Sequence, residues 1–344
     1  VDNSRALGEN LTTARDEGFS MRRLVFFLLG TSLLIVLLRQ LGAAEILRLL
    51  GQVGWYGIPI FLLYAAHVAT RALALRACVV RTPALPFGDA LAIRLSGEAV
   101  ESLTLTGPLL AEPTKAWLLE RHGLTRMEGY AATLTEYLIC TIVAAAMSIA
   151  GLLYLVWSFP LSPVVFGIAI GVACGMGLFL IVAVLAIGRR FHLIGAIIEG
   201  LAKGGLLRGR LRPDMPWIHS MEDLLLAILH DRPGRLAIIV FFEAAAQAFL
   251  IFELVVVLHS LQLAVPLLQA FTIEASTKFS GAAFAFIPLQ MGAAEGTYAV
   301  MFRALGLPTA AGFALAFVRR IRTLLVAGAG LTMLIRREGR TANE

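Results

Sequence analysis

The stretch Arg94–Arg121, RLSGEAVESLTLTGPLLAEPTKAWLLER, decides how this chain is to be read. It lies between long apolar segments yet carries Arg94, Glu98, Glu101, Glu112 and Lys115. On a helix Arg94, Glu98 and Glu101 share one face through i,i+4 and i,i+3 spacing. Glu112 and Lys115 pair in the same way beyond Gly107-Pro108, where proline and glycine interrupt a helix. The spacing therefore predicts two short helices with a bend between them. Lipid cannot satisfy the backbone groups freed at such a bend, so a broken, charged hairpin among membrane spans has to be buried in protein or line a water-filled cavity. That makes it a candidate transport site.

The chain around it is 344 residues long, 58% hydrophobic and only 15% charged. This balance predicts a polytopic membrane protein, and no polar block is long enough for a soluble enzyme domain of more than ~100 residues. Cys78, Cys140 and Cys174 sit in apolar runs at no metal or redox spacing and read as small core residues. The six histidines are scattered, with no HExxH. No metal and no cofactor is expected, and without a Walker A loop ATP is not a direct energy source.

Working outward, residues 1–20 are polar and Leu24–Leu38 reads as a first span, followed by an interfacial helix over Ala43–Val53. A second span runs from Trp55 to Val80, with Arg71 one or two turns in from its cytoplasmic end. The third, Tyr130–Trp157, carries Glu136, and the fourth, Val164–Ile187, carries no charge. A basic loop over 189–235 holds two short amphipathic segments, Leu193–Leu201 and Met221–Leu229, expected at the membrane surface. The fifth span, Leu236–Leu261, contains Glu243 and Glu253. A second irregular block, Leu267–Gly306, has Glu274 and Lys278 at i,i+4, a break at Pro288–Gly292, and then Glu295. The last span, Thr309–Ile335, carries Arg319, Arg320 and Arg322 before a tail at 336–344. Arg94, Arg121 and Arg126 read as cytoplasmic rim, and Glu253 as a solvated residue near the outer end.

The expected fold is all-α: a single transmembrane domain over 21–335 with about six full spans and two broken re-entrant hairpins. The ends and the 189–235 loop are basic, whereas SFPLSP (158–163) and HSLQLAVP (259–266) contain no Lys or Arg. Both termini are then cytoplasmic in an inner (cytoplasmic) membrane. The net charge of +6 describes a rim facing anionic lipid, worth roughly 1 kcal/mol per basic side chain, and requires no nucleic acid. In this topology repeat A (about 55–157) and repeat B (about 236–335) are inverted relative to one another. Each hairpin has a proline at its break and a glutamate after it, Pro108 then Glu112 and Pro288 then Glu295. Transporters place substrate between such repeats, at discontinuous helices.

These residues carry a resemblance. The chain resembles the flippase-like family that includes the membrane half of lysylphosphatidylglycerol synthase, over roughly residues 20–336. In that family the first hairpin reads like P-x-x-x-GE-x-x-R, a later helix carries an ER-x-x-D-like motif, and the second hairpin reads like PGG-x-G-x-x-E ahead of an Arg-bearing last span. Here the first is Pro108-Leu-Leu-Ala111-Glu112-Pro-Thr-Lys115, which keeps the Glu and a basic residue. The helix motif survives as Glu136, with Tyr137 and Cys140 in place of Arg and Asp. The second is Pro288-Leu-Gln-Met-Gly292-Ala-Ala-Glu295, and Arg319 or Arg320 fits the last-span arginine. The resemblance implies a lipid flippase or lipid-linked translocator. It does not imply aminoacylation, because the soluble transferase domain of some members is absent from this sequence.

On this reading Lys115, Lys278, Arg319 and Arg320 hold an anionic headgroup, and Glu101, Glu112, Glu136 and Glu295 balance them or relay protons, with Glu274 a further candidate for substrate binding or translocation. The alternative for Glu112–Lys115 and Glu274–Lys278 is a structural pair that pins a hairpin, and for Arg319 and Arg320 a pairing with Glu295 or Glu243. Glu101 and Glu295 have no obvious local partner. The expected partners are a membrane lipid substrate and anionic lipid at the cytoplasmic face, with a second copy of the chain or a lipid-biosynthesis enzyme left open. An intramembrane lipid-modifying enzyme is the competing class; the sequence offers it no nucleophile–base pair. The topology is tested by single cysteines: one in SFPLSP or at Ser260 labels from outside with an impermeant thiol reagent and one at Gly204 does not, whereas the reverse pattern overturns the orientation.

Overall fold

The computed structural model describes residues 51, 53–80, 84–104, 107–203, 214–284, 290 and 292–340, all within the unit Leu49–Glu344. The first span Leu24–Leu38, most of the Ala43–Val53 helix, Pro288 and Gly204 lie outside the described residues. After a single 3₁₀ turn at Gly54–Tyr56, eleven α-helices follow among the described residues, with no strand. They are α1 Gly57–Cys78, α2 Phe87–Leu103, α3 Pro108–Glu120, α4 Arg126–Ser158, α5 Pro163–Gly188, α6 Leu193–Lys203, α7 Met215–His230, α8 Pro233–Ser260, α9 Leu267–Ala283, α10 Ala293–Ala304 and α11 Thr309–Arg340.

Local chemistry sets these boundaries. Thr125 and Glu128 form a reciprocal capping box at the start of α4, and Ser162 with Pro163 opens α5. Gly107, at φ +48°, turns the chain ahead of Pro108 and so places the expected bend between α2 and α3. Gly292, at φ +80°, does the same before α10, where the Glu295 carboxylate accepts from the Gly292 amide at 2.8 Å.

Among the described residues, four stretches are long and apolar enough to cross a membrane: Gly54–Cys78, α4, α5 and α8. At 1.5 Å rise per residue each exceeds the ~30 Å hydrocarbon thickness. Of the five expected spans that fall among the described residues, four are present by length and composition. α11 is long enough, with 32 residues, but Arg319, Arg320 and Arg322 interrupt its apolar character. The expected surface helices also need correcting. α7 begins six residues before Met221, and Met221, Leu225, Leu226 and Leu229 are buried, the leucines in a core shared with α1, α3 and α4. Its apolar stripe packs on protein, whereas α6 leaves Ile197 and Leu201 exposed.

Two apolar cores occupy opposite ends of the long helices. The first takes Leu75 and Cys78 from the end of α1 and Ala131 and Ala132 from the start of α4; the second takes Leu155 from the end of α4 and Leu254 and Leu258 from the end of α8. The pair α2–α3 is rooted in the first core through Ile93 and Leu119, and α9–α10 in the second through Ile273 and Phe302. Each pair packs on both remaining long helices: α2 lies along α11, and α9 along α4. Small residues allow these crossings. A Cβ at Gly330 of α11 would stand 2.1 Å from the Leu95 carbonyl oxygen, and one at Gly151 of α4 would stand 2.5 Å from the Ala275 Cβ. Beside Gly151, the Ser148 hydroxyl donates to the Ala275 carbonyl at 2.8 Å.

One labelling position changes with the fold, because Ser260 is buried and the exposed Gln262 is the better outer probe. The α2–α11 crossing yields its own test. Gly330→Ala should lower stability by about 1–3 kcal/mol, since the obstacle is backbone and cannot swing aside. Gly167→Ala in α5, with no atom within 4 Å, should be neutral or slightly stabilising. Equal thermal midpoints for the two variants in detergent would contradict the tight crossing.

Candidate functional site

Charged side chains gather into two buried centres whose central groups are opposite in sign. The first is built on Glu136, ten residues into α4 and completely buried. Its Oε1 accepts from Arg71 Nη2 of α1 at 2.6 Å and lies 3.5 Å from Arg94 Nη1 of α2; its Oε2 accepts from Lys115 Nζ of α3 at 2.7 Å. Lys115 also contacts Glu112 Oε1 at 2.8 Å, and Arg71 Nε lies 3.4 Å from Glu243 Oε2 of α8. One carboxylate thus joins three cations from three helices. Neither the Glu112 oxygens nor those of Glu243 have hydrogen-bond geometry to a partner among the described residues, so these two carboxylates are held by charge alone.

The second centre reverses the signs. Arg319, ten residues into α11, donates through Nη1 to Glu274 Oε2 of α9 at 2.6 Å and to the Tyr298 hydroxyl of α10 at 2.7 Å. Its Nη2 donates to Glu253 Oε2 and to the Leu250 carbonyl of α8, both at 3.1 Å. Lys278 donates to the other Glu274 oxygen at 2.6 Å, and Arg322 pairs with the other Glu253 oxygen. Arg320 pairs with Glu295, whose remaining oxygen caps α10. Aromatic contact ties the second centre to α2: the Arg322 guanidinium lies 3.7 Å over the Tyr64 ring, and Tyr64 donates its hydroxyl hydrogen to Glu98 of α2.

The structure brings Glu112, Lys115 and Glu136 into the first centre and Glu274, Lys278, Glu295, Arg319 and Arg320 into or beside the second. Glu101 remains half-buried on α2, without a hydrogen bond or ion pair among the described residues. Of the pairings left open, Arg320 with Glu295 is the one present, and the Gly292 amide donates to the other Glu295 oxygen. Two expectations are corrected. Arg94 is not cytoplasmic rim but buried against Glu136, because it shares the inward stripe of α2 with Ala90, Ile93 and Gly97. Glu253 is not solvated but completely buried between Arg319 and Arg322. Arg126, 70% exposed on its side chain, does lie at a rim.

Arg71, Glu243, Arg322, Tyr64 and Tyr298 were missing from the candidate set. Arg71 carried a usable signal, a guanidinium within an apolar span seven residues from its end, which demands a partner. Tyr64 and Tyr298 carried none, since nothing local distinguishes them from packing aromatics. Among the described residues no group of three His, Cys, Asp or Glu side chains is arranged to hold a metal ion.

Removing Glu136 leaves three buried cations short of an anion. Glu136→Gln should therefore cost roughly 3–5 kcal/mol, and Lys278→Met, at a half-buried site with one partner, clearly less. Thermal unfolding of both variants in one detergent checks the order; equal losses would remove Glu136 from its central place.

Comparison with known proteins adds an independent line. No curated protein and no solved structure matches the chain. The family described as the lysylphosphatidylglycerol synthase TM region matches residues 23–330, almost the whole length and every group in both centres. The chain is thus a membrane protein of a family linked to lipid handling and belongs to the lysylphosphatidylglycerol synthase transmembrane family.

Proposed function

We propose that this protein is a lipid flippase, or a translocator of a lipid-linked substrate with an anionic or polar headgroup, and is not itself an enzyme. The observation that carries this reading is the pair of buried ion centres of opposite central sign, each joined to a broken helix pair. Charges at mid-membrane cost about 2.5–3.5 kcal/mol each on insertion scales, so structure alone is an expensive reason to keep so many.

The two halves also correspond in order. α1 to α4 run long helix, short pair, long helix, and α8 to α11 repeat it. Arg94 and Glu274 each follow the start of their helix by seven residues, and Glu136 and Arg319 by ten. With α2–α3 rooted in one apolar core and α9–α10 in the other, the pairs act as re-entrant hairpins dipping from opposite faces, in an inverted repeat with both termini cytoplasmic in the inner membrane. Lys115, Lys278, Arg319 and Arg320 offer an anionic headgroup its countercharges by exchanging their present carboxylate partners, while the acyl or polyprenyl chains stay in lipid. Anionic lipid meets the basic cytoplasmic face.

The test reconstitutes the purified protein in vesicles carrying head-labelled lipid and follows leaflet exchange by membrane-impermeant quenching. Wild type should exchange label without forming product. Glu112→Gln, at a carboxylate without hydrogen-bond geometry to Lys115, should abolish exchange at an unchanged yield of folded protein. Full exchange by that variant would remove Glu112 from the mechanism, and product formation would move the protein to the lipid-modifying enzymes.

A further inference from the structure

Glu98 stands apart from every carboxylate in the two centres. Glu112, Glu136, Glu243, Glu253 and Glu274 each have a cation within 3.4 Å. Glu98 is only 9% exposed and has no cation partner among the described residues. Its single hydrogen-bond donor is the neutral Tyr64 hydroxyl on Oε1, and its fully enclosed Oε2 has none. Glu101, one turn along α2, is a second carboxyl with no ion-pair partner there.

An unpaired neutral hydroxyl is far cheaper to bury than an unpaired carboxylate. We propose that Glu98 is a proton-binding site: it holds a proton in this conformation and exchanges it with water as the α2–α3 pair moves against α11. The proton sits on Oε2 while Oε1 accepts from Tyr64. Release breaks the O–H bond, passes the proton to water and leaves a carboxylate that needs a cation. The candidate is Arg322, now stacked over the Tyr64 ring and held by Glu253.

Other groups bear on the site from each neighbouring helix. α1 supplies Tyr64 and His67, whose ring stacks on Tyr64 and whose Nδ1 donates to the Ala246 carbonyl. α3 supplies Lys115, α4 supplies Glu136, α11 supplies Arg322, and α2 itself supplies Glu101. Lys115 and Glu136 already satisfy one another, which leaves Arg322 as the cation free to change partner between Glu253 and Glu98. Proton release would thus shift an ion pair from the α8–α11 contact to the α2–α11 contact.

The coupling of this proton to lipid movement rests on the translocation reading; the protonation itself does not. Infrared spectra of the purified wild type at neutral pH should contain a protonated-carboxyl C=O band that Glu98→Gln removes and Tyr64→Phe shifts by taking away its hydrogen bond. Because the amide resembles the neutral acid, Glu98→Gln should keep the wild-type thermal midpoint, whereas Glu253→Gln should lower it. In vesicles, an imposed pH gradient should change wild-type lipid exchange and leave the rate of Glu98→Gln unchanged. A spectrum identical in wild type and Glu98→Gln overturns the proton site. Wild-type exchange indifferent to the gradient overturns the coupling. If wild type moves no lipid at all, the translocation reading falls, and the infrared difference still decides whether Glu98 holds a proton.

Discussion

A carboxylate shared by three cations inside an apolar bundle constrains everything around it. Glu136 is reached by Arg71, Arg94 and Lys115 from three different helices, so none of those helices can turn or slide relative to α4 without leaving a charge unpaired in a medium that solvates it poorly. The packing conforms to that requirement. A Cβ at Gly97 would stand 2.6 Å from the Lys115 Cγ, so the lysine stem lies flat against the α2 backbone on its way to Glu136. The small inward residues of α2 and the bend at Gly107-Pro108 follow from the same need to bring Arg94 and Lys115 to one anion.

The second centre uses the same architecture with the charges exchanged. Arg319 fills the role of Glu136 and collects Glu253, Glu274 and Tyr298 from α8, α9 and α10. On the proposed translocation reading, an anionic headgroup competes with Glu136 for cations in the first centre and with Glu253 and Glu274 for Arg319 and Lys278 in the second. Buried ion pairs contribute little net stability compared with apolar packing of the same volume, but breaking one is costly. Such networks hold alternative pairings close in energy while penalising any state with an unpaired charge. Tyr64 joins the second centre to α2, hydrogen-bonded to Glu98 through its hydroxyl and stacked under Arg322 through its ring.

Much of this was legible in the chain itself. Apolar run length determined the membrane class and the four long spans, because crossing hydrocarbon takes about twenty uninterrupted apolar residues whatever the tertiary arrangement. Gly107-Pro108 determined the first bend, since its cause is local backbone chemistry. The i,i+3 and i,i+4 pairs Glu112–Lys115 and Glu274–Lys278 were determined as well, because helix geometry brings such residues together regardless of what surrounds them.

Only the tertiary structure decided which way each lone charge faces and what answers it. Arg94 and Glu253 read as rim residues because sequence gives a helix its faces but not the neighbour each face meets; α4 and α11 supply those neighbours from 42 and 66 positions away. The α7 stripe shows the same limit, since an amphipathic period fits a lipid surface and a protein surface equally well, and only the packing on α4 chose between them. The pairing of Tyr64 with Glu98 across 34 residues likewise depends on how α1 lies against α2, which no local period encodes.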